Sequence, residues 1–245
     1  MGRGKENRYR LGPVLLLLIL AVTVGLLAFV RTSFFCISDI TVQGNSFVDE
    51  KEIVEYAGIN PGMNIFRIDL KNTVKWLEGH PYILRADVER QLPNGIKITV
   101  KERDLIGYIP YMGSFLLVDN ERRVISATAE VPIEGLPVFS GIKVENFQAK
   151  EILNIDNNQI FDKIIYISKC IGKNILQYAP IKVDVEDPED IVIALADRFI
   201  IRIGDIEELD YKLSYSNTIL EKLYSQEVGG EIDVTCGERA FFRPW

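Results

Sequence analysis

The chain has 245 residues, 47% of them apolar and 26% charged, a balance that excludes wholesale disorder and leaves room for one large domain or two modest ones. Its 28 basic side chains are outnumbered by 35 acidic ones, a net charge of −7, which argues against a protein whose task is gripping nucleic-acid phosphates. The charge is unevenly spread: Arg3, Lys5, Arg8 and Arg10 stand against Glu6 alone in the first ten residues, and the acidic excess begins after Arg31.

Between these regions lie residues 11–30, in which Val14 to Val30 form an unbroken run of seventeen uncharged residues. Twenty helical positions at about 1.5 Å each reach about 30 Å, the thickness of a hydrocarbon core. Thirteen of the seventeen are Leu, Ile, Val or Phe. At roughly −0.3 to −0.6 kcal/mol each, they favour insertion by on the order of 4 to 8 kcal/mol, with no internal charge to oppose them. Four basic residues before the span and Arg31 alone after it predict a cytoplasmic tail over 1–10 and an extracytoplasmic remainder. A cleaved secretory signal is the competing reading. The apolar run is longer than the usual region of about 7–15 residues, and Phe29-Val30-Arg31-Thr32-Ser33 offers no small-x-small site, so an uncleaved anchor is predicted.

The next 70 or so residues alternate in type. Residues 37–42 are a short β-like run. Asp49 then opens a helix as an acid cap, with Glu52 three residues on in capping-box position; Ile53, Val54 and Ala57 form its apolar face and Gly58 ends it. A second helix opens at Asp69, places Leu70, Val74 and Leu77 on one face, and stops at Gly79 before Pro81. Residues 83–92 and 96–102 read as strands. In the second, Ile96, Ile98 and Val100 point inward and Lys97, Thr99 and Lys101 outward. Pro93-Asn94-Gly95 folds the pair into a hairpin. The order β-α-α-β-β predicts a three-stranded sheet with two helices on one face.

This order, just after a single N-terminal span, resembles the FtsQ/DivIB family of bacterial cell-division proteins, whose first exported module is a POTRA domain. The matching stretches are Ile40-Thr41-Val42-Gln43-Gly44-Asn45, Gly62-Met63-Asn64-Ile65-Phe66, His80-Pro81-Tyr82-Ile83, Leu92-Pro93-Asn94-Gly95-Ile96 and Val100-Lys101-Glu102-Arg103. Leu117-Val118-Asp119, Leu136-Pro137-Val138 with Gly141, and Ile232-Asp233-Val234 resemble landmarks of the family's second domain. Two departures stand out. Leu105 and Gly107 replace the Pro and Ala of the family's Glu-Arg-x-Pro-x-Ala, and Asn120-Glu121-Arg122-Arg123 lacks the usual turn glycine. The implied organisation is an α+β chain: tail 1–10, transmembrane helix 11–30, POTRA domain 31–103, and a β-rich domain with packed helices over 104–245.

Read on its own, the second part predicts a helix over 157–171, with Ile160, Phe161, Ile164, Ile165, Ile167 and Ile171 on one side and Gly172 as the stop. Ile181, Val183 and Val185 alternate in a strand, and residues 191–195 and 199–203 form two more around an Asp197 turn. Residues 207–224 form a helix with Leu209, Leu213, Leu220 and Leu223 inward. A strand over 232–235, a turn through Cys236-Gly237-Glu238 and a final run over 239–243 close the chain before Pro244-Trp245.

No catalytic constellation accompanies these elements. His80, the one histidine, sits before Pro81 in a structural or solvent-facing position, without a Ser- or Cys-centred motif. Cys36, Cys170 and Cys236 lack zinc-ligand spacing and cannot all pair within one chain; free thiols are the default, with a Cys170–Cys236 bridge left open. Asp184, Glu186, Asp187, Glu189 and Asp190 lack the order of a calcium loop and read as a solvated acidic turn. No phosphate loop is present, and Arg103 reads as a structural tie at the hinge. No cofactor, metal or catalytic residue is predicted; the protein works by contact.

Contact points to free sheet edges. In the terminal run Ala240-Phe241-Phe242-Arg243, one of two adjacent aromatics must face the core and the other outward. The family resemblance implies that this strand receives an FtsB/DivIC-like partner, which brings an FtsL-like one, and that Ala240, Phe241, Phe242 and Arg243 make the contact, with Tyr224 secondary. A charged residue at Phe242 is expected to leave the fold intact and weaken that binding. The resemblance thus implies a non-catalytic bitopic scaffold at the division septum of the cytoplasmic membrane. The alternatives are another POTRA-type assembly or secretion chaperone, or an anchored wall hydrolase using carboxylates.

Overall fold

A computed structural model describes residues 11–245 except 132, 134, 148–150, 156–157, 196–197, 227 and 237–238. The basic tail, Asp197, Gly237 and Glu238 singled out by the sequence therefore lie outside the described residues. Helix α1 (Leu11–Val30) is exposed along its apolar surface and is long and apolar enough to cross a membrane. The chain divides into two compact units, Met1–Glu102 and Arg103–Trp245.

In the first unit β1 (Asp39–Gln43), α2 (Glu50–Tyr56), α3 (Leu70–Glu78), β2 (Ile83–Gln91) and β3 (Gly95–Glu102) follow in the expected order. β3 is central, parallel to β1 and antiparallel to β2, with Gln91 opposite Gly95 at the hairpin. Ile96, Ile98 and Val100 are buried in one cluster with Ile53 of α2 and Leu77 of α3. Thr73, which the apolar spacing passed over, is buried as well. Asp49 and Asp69 cap the two helices. The capping box is not closed: Glu52 reaches across to the buried His80 instead, with Oε1 3.1 Å from Nε2. Since His80 Nδ1 accepts from Tyr82 N at 3.3 Å, Nε2 carries the proton and donates to Glu52. His80 is thus a buried structural residue, edge-on to Tyr56.

Two of the family-like stretches meet here. Gly44 has φ +83°, and a Cβ there would collide with the Val100 carbonyl oxygen. The loop that follows turns its N–H groups onto the Glu102 carboxylate, which accepts from Ser46 (3.0 Å), Phe47 (2.9 Å) and Val48 (2.8 Å). The neighbouring Arg103 instead bonds within the second unit. Its NH1 donates to Oδ2 of the buried Asp119 at 3.0 Å, while Asp119 Oδ1 accepts from the Glu121 and Arg123 N–H groups. In that turn Arg122 takes φ +65°, the conformation a glycine adopts more cheaply.

The second unit is built on β4 (Leu105–Tyr111), β5 (Ser114–Asp119), β6 (Val124–Thr128), β7 (Val138–Ser140), β8 (Val144–Asn146), β9 (Asn154–Ile155), α4 (Asn158–Asn174), β10 (Ile181–Asp184), β11 (Ile191–Leu195), β12 (Phe199–Gly204), α5 (Leu209–Tyr224), β13 (Gly230–Asp233) and β14 (Phe241–Pro244). Among the described residues nine of these strands form one mixed sheet in the order β14-β13-β12-β11-β10-β7-β4-β5-β6. The parallel neighbours β7 and β10 are joined through α4, and β12 and β13 through α5, as parallel connections require. Ile160, Phe161, Ile164, Ile167 and Ile171 of α4 and Leu209, Leu213 and Leu220 of α5 share a core with Val183, Ile193, Ile201 and Ile232; Leu223 is only partly buried.

The strand expected over 232–235 runs over Gly230–Asp233, and two further boundaries are corrected. Gly172 does not stop α4, which continues to Asn174. An exposed helical glycine costs only about 1 kcal/mol, less than the flanking Ile171 and Ile175 gain by burial. The last strand starts at Phe241, so Arg239 and Ala240 precede it. Gly107, where the family-like pattern has Ala, sits at a register shift with φ +149°, and a Cβ there would come within 2.8 Å of the Phe139 ring. All three cysteines are free, Cys170 buried and Cys236 exposed.

Candidate functional site

β14 forms one end of the large sheet. Its register against β13 pairs Phe241 with Asp233, Phe242 with Ile232, Arg243 with Glu231 and Pro244 with Gly230. Gly230 N donates to Arg198 O on the β12 side (3.1 Å), and Trp245 N to Gly229 O (3.4 Å). Alternation then sends the N–H and C=O of Phe241 and Arg243 toward β13, and those of Phe242 away from the sheet. Pro244 also faces outward, where it has no N–H to lose. Among the described residues no strand pairs with this outer side.

The side chains alternate in the other sense. Phe242 packs against the core, with its ring over Gly230, where a Cβ would come within 2.6 Å. Phe241 is 52% exposed on the opposite face, beside Arg243 at 68% side-chain exposure. The expectation that a charge at position 242 leaves the fold untouched is therefore corrected: the outward aromatic is Phe241. Ala240 lies before the strand and packs partly against the core.

Arg243 ends a charge ladder crossing the strands. Asp190 binds Arg202 at 2.9 Å, Arg202 Nε lies 3.7 Å from Glu231, and Arg243 NH1 lies 3.3 Å from the same carboxylate, with Asp233 at 4.0 Å from NH2. Burial pushes the Asp233 carboxyl up, but hydrogen bonds from the Thr235 hydroxyl and N–H, with Arg243 and Arg202 nearby, outweigh it and hold the carboxyl below its usual range. The signs alternate to the edge, and the last member is a cation.

Tyr224, at the end of α5, reaches this end of the sheet through Arg198. The guanidinium carbon stands 4.8 Å from the Tyr224 ring centre and 5.1 Å from that of Phe199, and Nε donates to Val228 O at 3.2 Å. Tyr178 packs against Tyr224 with ring centres 5.1 Å apart. The Trp245 indole lies beside Gly229, largely exposed. Sequence reasoning missed Arg198, Trp245 and the ladder. A lone exposed-type aromatic after Pro244 was the available signal for Trp245; the ladder depends on strand register and left none. α5 is fixed from its start by the buried Lys212, whose Nζ donates to Ile203 O, Asp205 O and Asp205 Oδ1.

The acidic turn is consumed internally. Asp184 and Asp187 accept from the N–H groups of Glu186 and Glu189, and Asp190 pairs with Arg202. Among the described residues no cluster of three or more His, Cys, Asp or Glu could hold a metal.

Residues 35–103 match the family model described as POTRA domain, FtsQ-type, and a β-rich region carrying helices follows that domain. Over most of its length it is homologous to proteins named cell division protein DivIB. It is 28% identical to that of Clostridium tetani over 212 residues, covering 86% of this chain and 79% of the relative. It is 25% identical to that of Bacillus subtilis over 184 residues (74% and 65%), and 23% to that of Staphylococcus aureus over 214 residues (85% and 46%).

Proposed function

We propose that the protein is a non-catalytic, single-pass scaffold of the bacterial division machinery. α1 anchors it in the cytoplasmic membrane with residues 1–10 inside, and the POTRA domain (31–103) and β-rich domain (104–245) outside, at the septum. The β14 edge receives a strand from an FtsB/DivIC-like membrane protein, which brings an FtsL-like one, and septum formation is controlled through that assembly. The kinship to DivIB proteins supports the division role.

One observation carries the docking step: an end strand whose outward main-chain groups are unpaired among the described residues, flanked on one face by Phe241 and by the terminal cation of an alternating ladder. Added-strand binding takes affinity from main-chain hydrogen bonds and specificity from alternate side chains. A strand lying along β14 continues the ladder when it sets an acid beside Arg243 and an apolar side chain beside Phe241. Phe242 supplies the strand's interior support, and Arg198, Tyr224 and Trp245 hold the adjoining end.

The test is binding of the purified FtsB/DivIC-like partner to the full chain in nanodiscs, with Arg243→Glu as the variant and an acid-to-Lys exchange in the partner as its complement. Weakened binding restored by the exchange is expected. Unchanged affinity in the folded Arg243→Glu protein removes the edge from the interface.

A further inference from the structure

The first unit is joined to α1 without a free linker. The last four carbonyls of a helix lack intrahelical partners, and here the final three are met. Ala28 O accepts from Arg31 N, Phe29 O from the Thr32 N–H and hydroxyl, and Val30 O from Asn64 Nδ2 at 2.8 Å. Asn64 belongs to the loop between α2 and α3, and the same loop is tied again to the start of the unit. Cys36 pairs with Asn64, Ile37 N donates to Met63 O, and Gly62 N donates to Ile37 O, both at 2.8 Å.

Aromatic rings continue across the junction. Phe29, in the last turn of α1, lies 6.0 Å from Phe34 and 5.3 Å from Phe35, and Phe35 lies 5.2 Å from Phe66. Phe35 packs partly on the unit's core, but Phe34 is 56% and Phe66 43% exposed, and Met63, of the same loop as Phe66, is exposed too. Arg31, three residues before Phe34, and Arg67, next to Phe66 in the chain, are both exposed. An apolar group of this kind, with exposed cations next to it in the chain and continuous with a membrane-length helix, has the make-up of a surface that sits among lipid headgroups.

We infer that Phe34, Met63 and Phe66 rest in the interfacial layer of the outer leaflet, with Arg31 and Arg67 toward lipid phosphates, so that the POTRA unit lies on the bilayer rather than standing clear of it. This rests on the reading of α1 as a membrane span. Leu11–Val30 uses up a length of about 30 Å, which places Val30 at the hydrocarbon boundary. A loop whose Asn64 amide is 2.8 Å from the Val30 carbonyl is then held at headgroup depth. The occupant of the patch is the bilayer that α1 crosses.

The test uses the full chain in vesicles of zwitterionic and anionic phospholipid. Trp76→Phe and Trp245→Phe remove the native indoles, and one reporter is added at a time: Phe34→Trp, Phe66→Trp, or Leu20→Trp inside α1. Lipids brominated near the headgroup or near the chain ends then quench by depth. The expected result is loss of most Leu20→Trp emission with chain-end bromines, and of most Phe34→Trp or Phe66→Trp emission, blue-shifted, with headgroup-near bromines. If Leu20→Trp is quenched but both interfacial reporters emit as in water and resist bromines at either depth, the platform is refuted and the anchor stands. If Leu20→Trp is quenched at neither depth, the anchor reading fails and the platform with it.

Discussion

Truncating Phe241 to Ala separates docking from folding. The side chain is about half exposed, so a partner strand that covers it removes on the order of 100 Å² of apolar surface from a ring of roughly 200 Å². At about 25 cal/mol per Å² that is about 2.5 kcal/mol, a roughly 30- to 70-fold rise in Kd when the ring is lost. The half that the partner covers faces water in the free protein, so its loss registers in binding and not in folding, and only the half already covered registers in the melt. Phe242→Ala gives the reverse pattern. That ring packs on Gly230 and the core, so its loss costs stability, about 1–3 kcal/mol, before any binding is measured. Calorimetric titration of the partner into full-length protein in nanodiscs, paired with urea unfolding of each variant, reads both axes. An unchanged Kd for folded Phe241→Ala refutes the assignment of that face to the interface.

Other outcomes follow from single contacts. Glu102→Gln removes the charge that gathers the Ser46, Phe47 and Val48 N–H groups and is expected to lower first-unit stability by about 1–3 kcal/mol in urea melts. Gly107→Ala drives a Cβ into Phe139 and the Pro137 carbonyl oxygen and should cost about 2–3 kcal/mol, with part regained in the double variant with Phe139→Leu. Asp205 and Asp233 both have carboxyls held below their ordinary range, the first by the Lys212 ammonium. A group lowered in the fold contributes stability above its unfolded value, near 4, and loses it as pH falls through the folded one, so melting temperature should drop below about pH 4, less steeply in Asp205→Asn.

The first unit was legible because each of its signals is local. Asp49 and Asp69 cap the helices they precede, and Ile96 to Val100 alternate over a whole strand, so element and face follow from neighbours in the chain. Glu52 shows where that logic ends: its capping-box position was correct, but the His80 ring 28 residues away took its carboxylate. In the second unit, edge position was argued from the terminal run, whereas the inward ring depends on which face of the sheet α5 covers. That choice, like the Asp190–Arg202–Glu231–Arg243 ladder, is made by register between strands and is invisible to spacing along one segment. Gly107 is similar: its meaning lies in the Phe139 ring that fills the place of its missing Cβ.

An open edge recruits any extended chain, so this one must be selective to be useful. β14 spans only four residues. Its outermost position is Pro244, which offers no N–H, and Arg243 places a cation where a second copy of the strand would bring another like charge. Within β14 this leaves the Phe242 N–H as the only outward main-chain donor, too little to hold a strand by hydrogen bonds alone at about 1 kcal/mol net each. A productive partner therefore has to add side-chain terms, apolar contact with Phe241 and an acid for Arg243. It follows that binding through this edge should weaken with rising salt in the native protein, and that Arg243→Gln should flatten that dependence while keeping the contribution of Phe241. A salt response identical in the two proteins would place the charge recognition elsewhere.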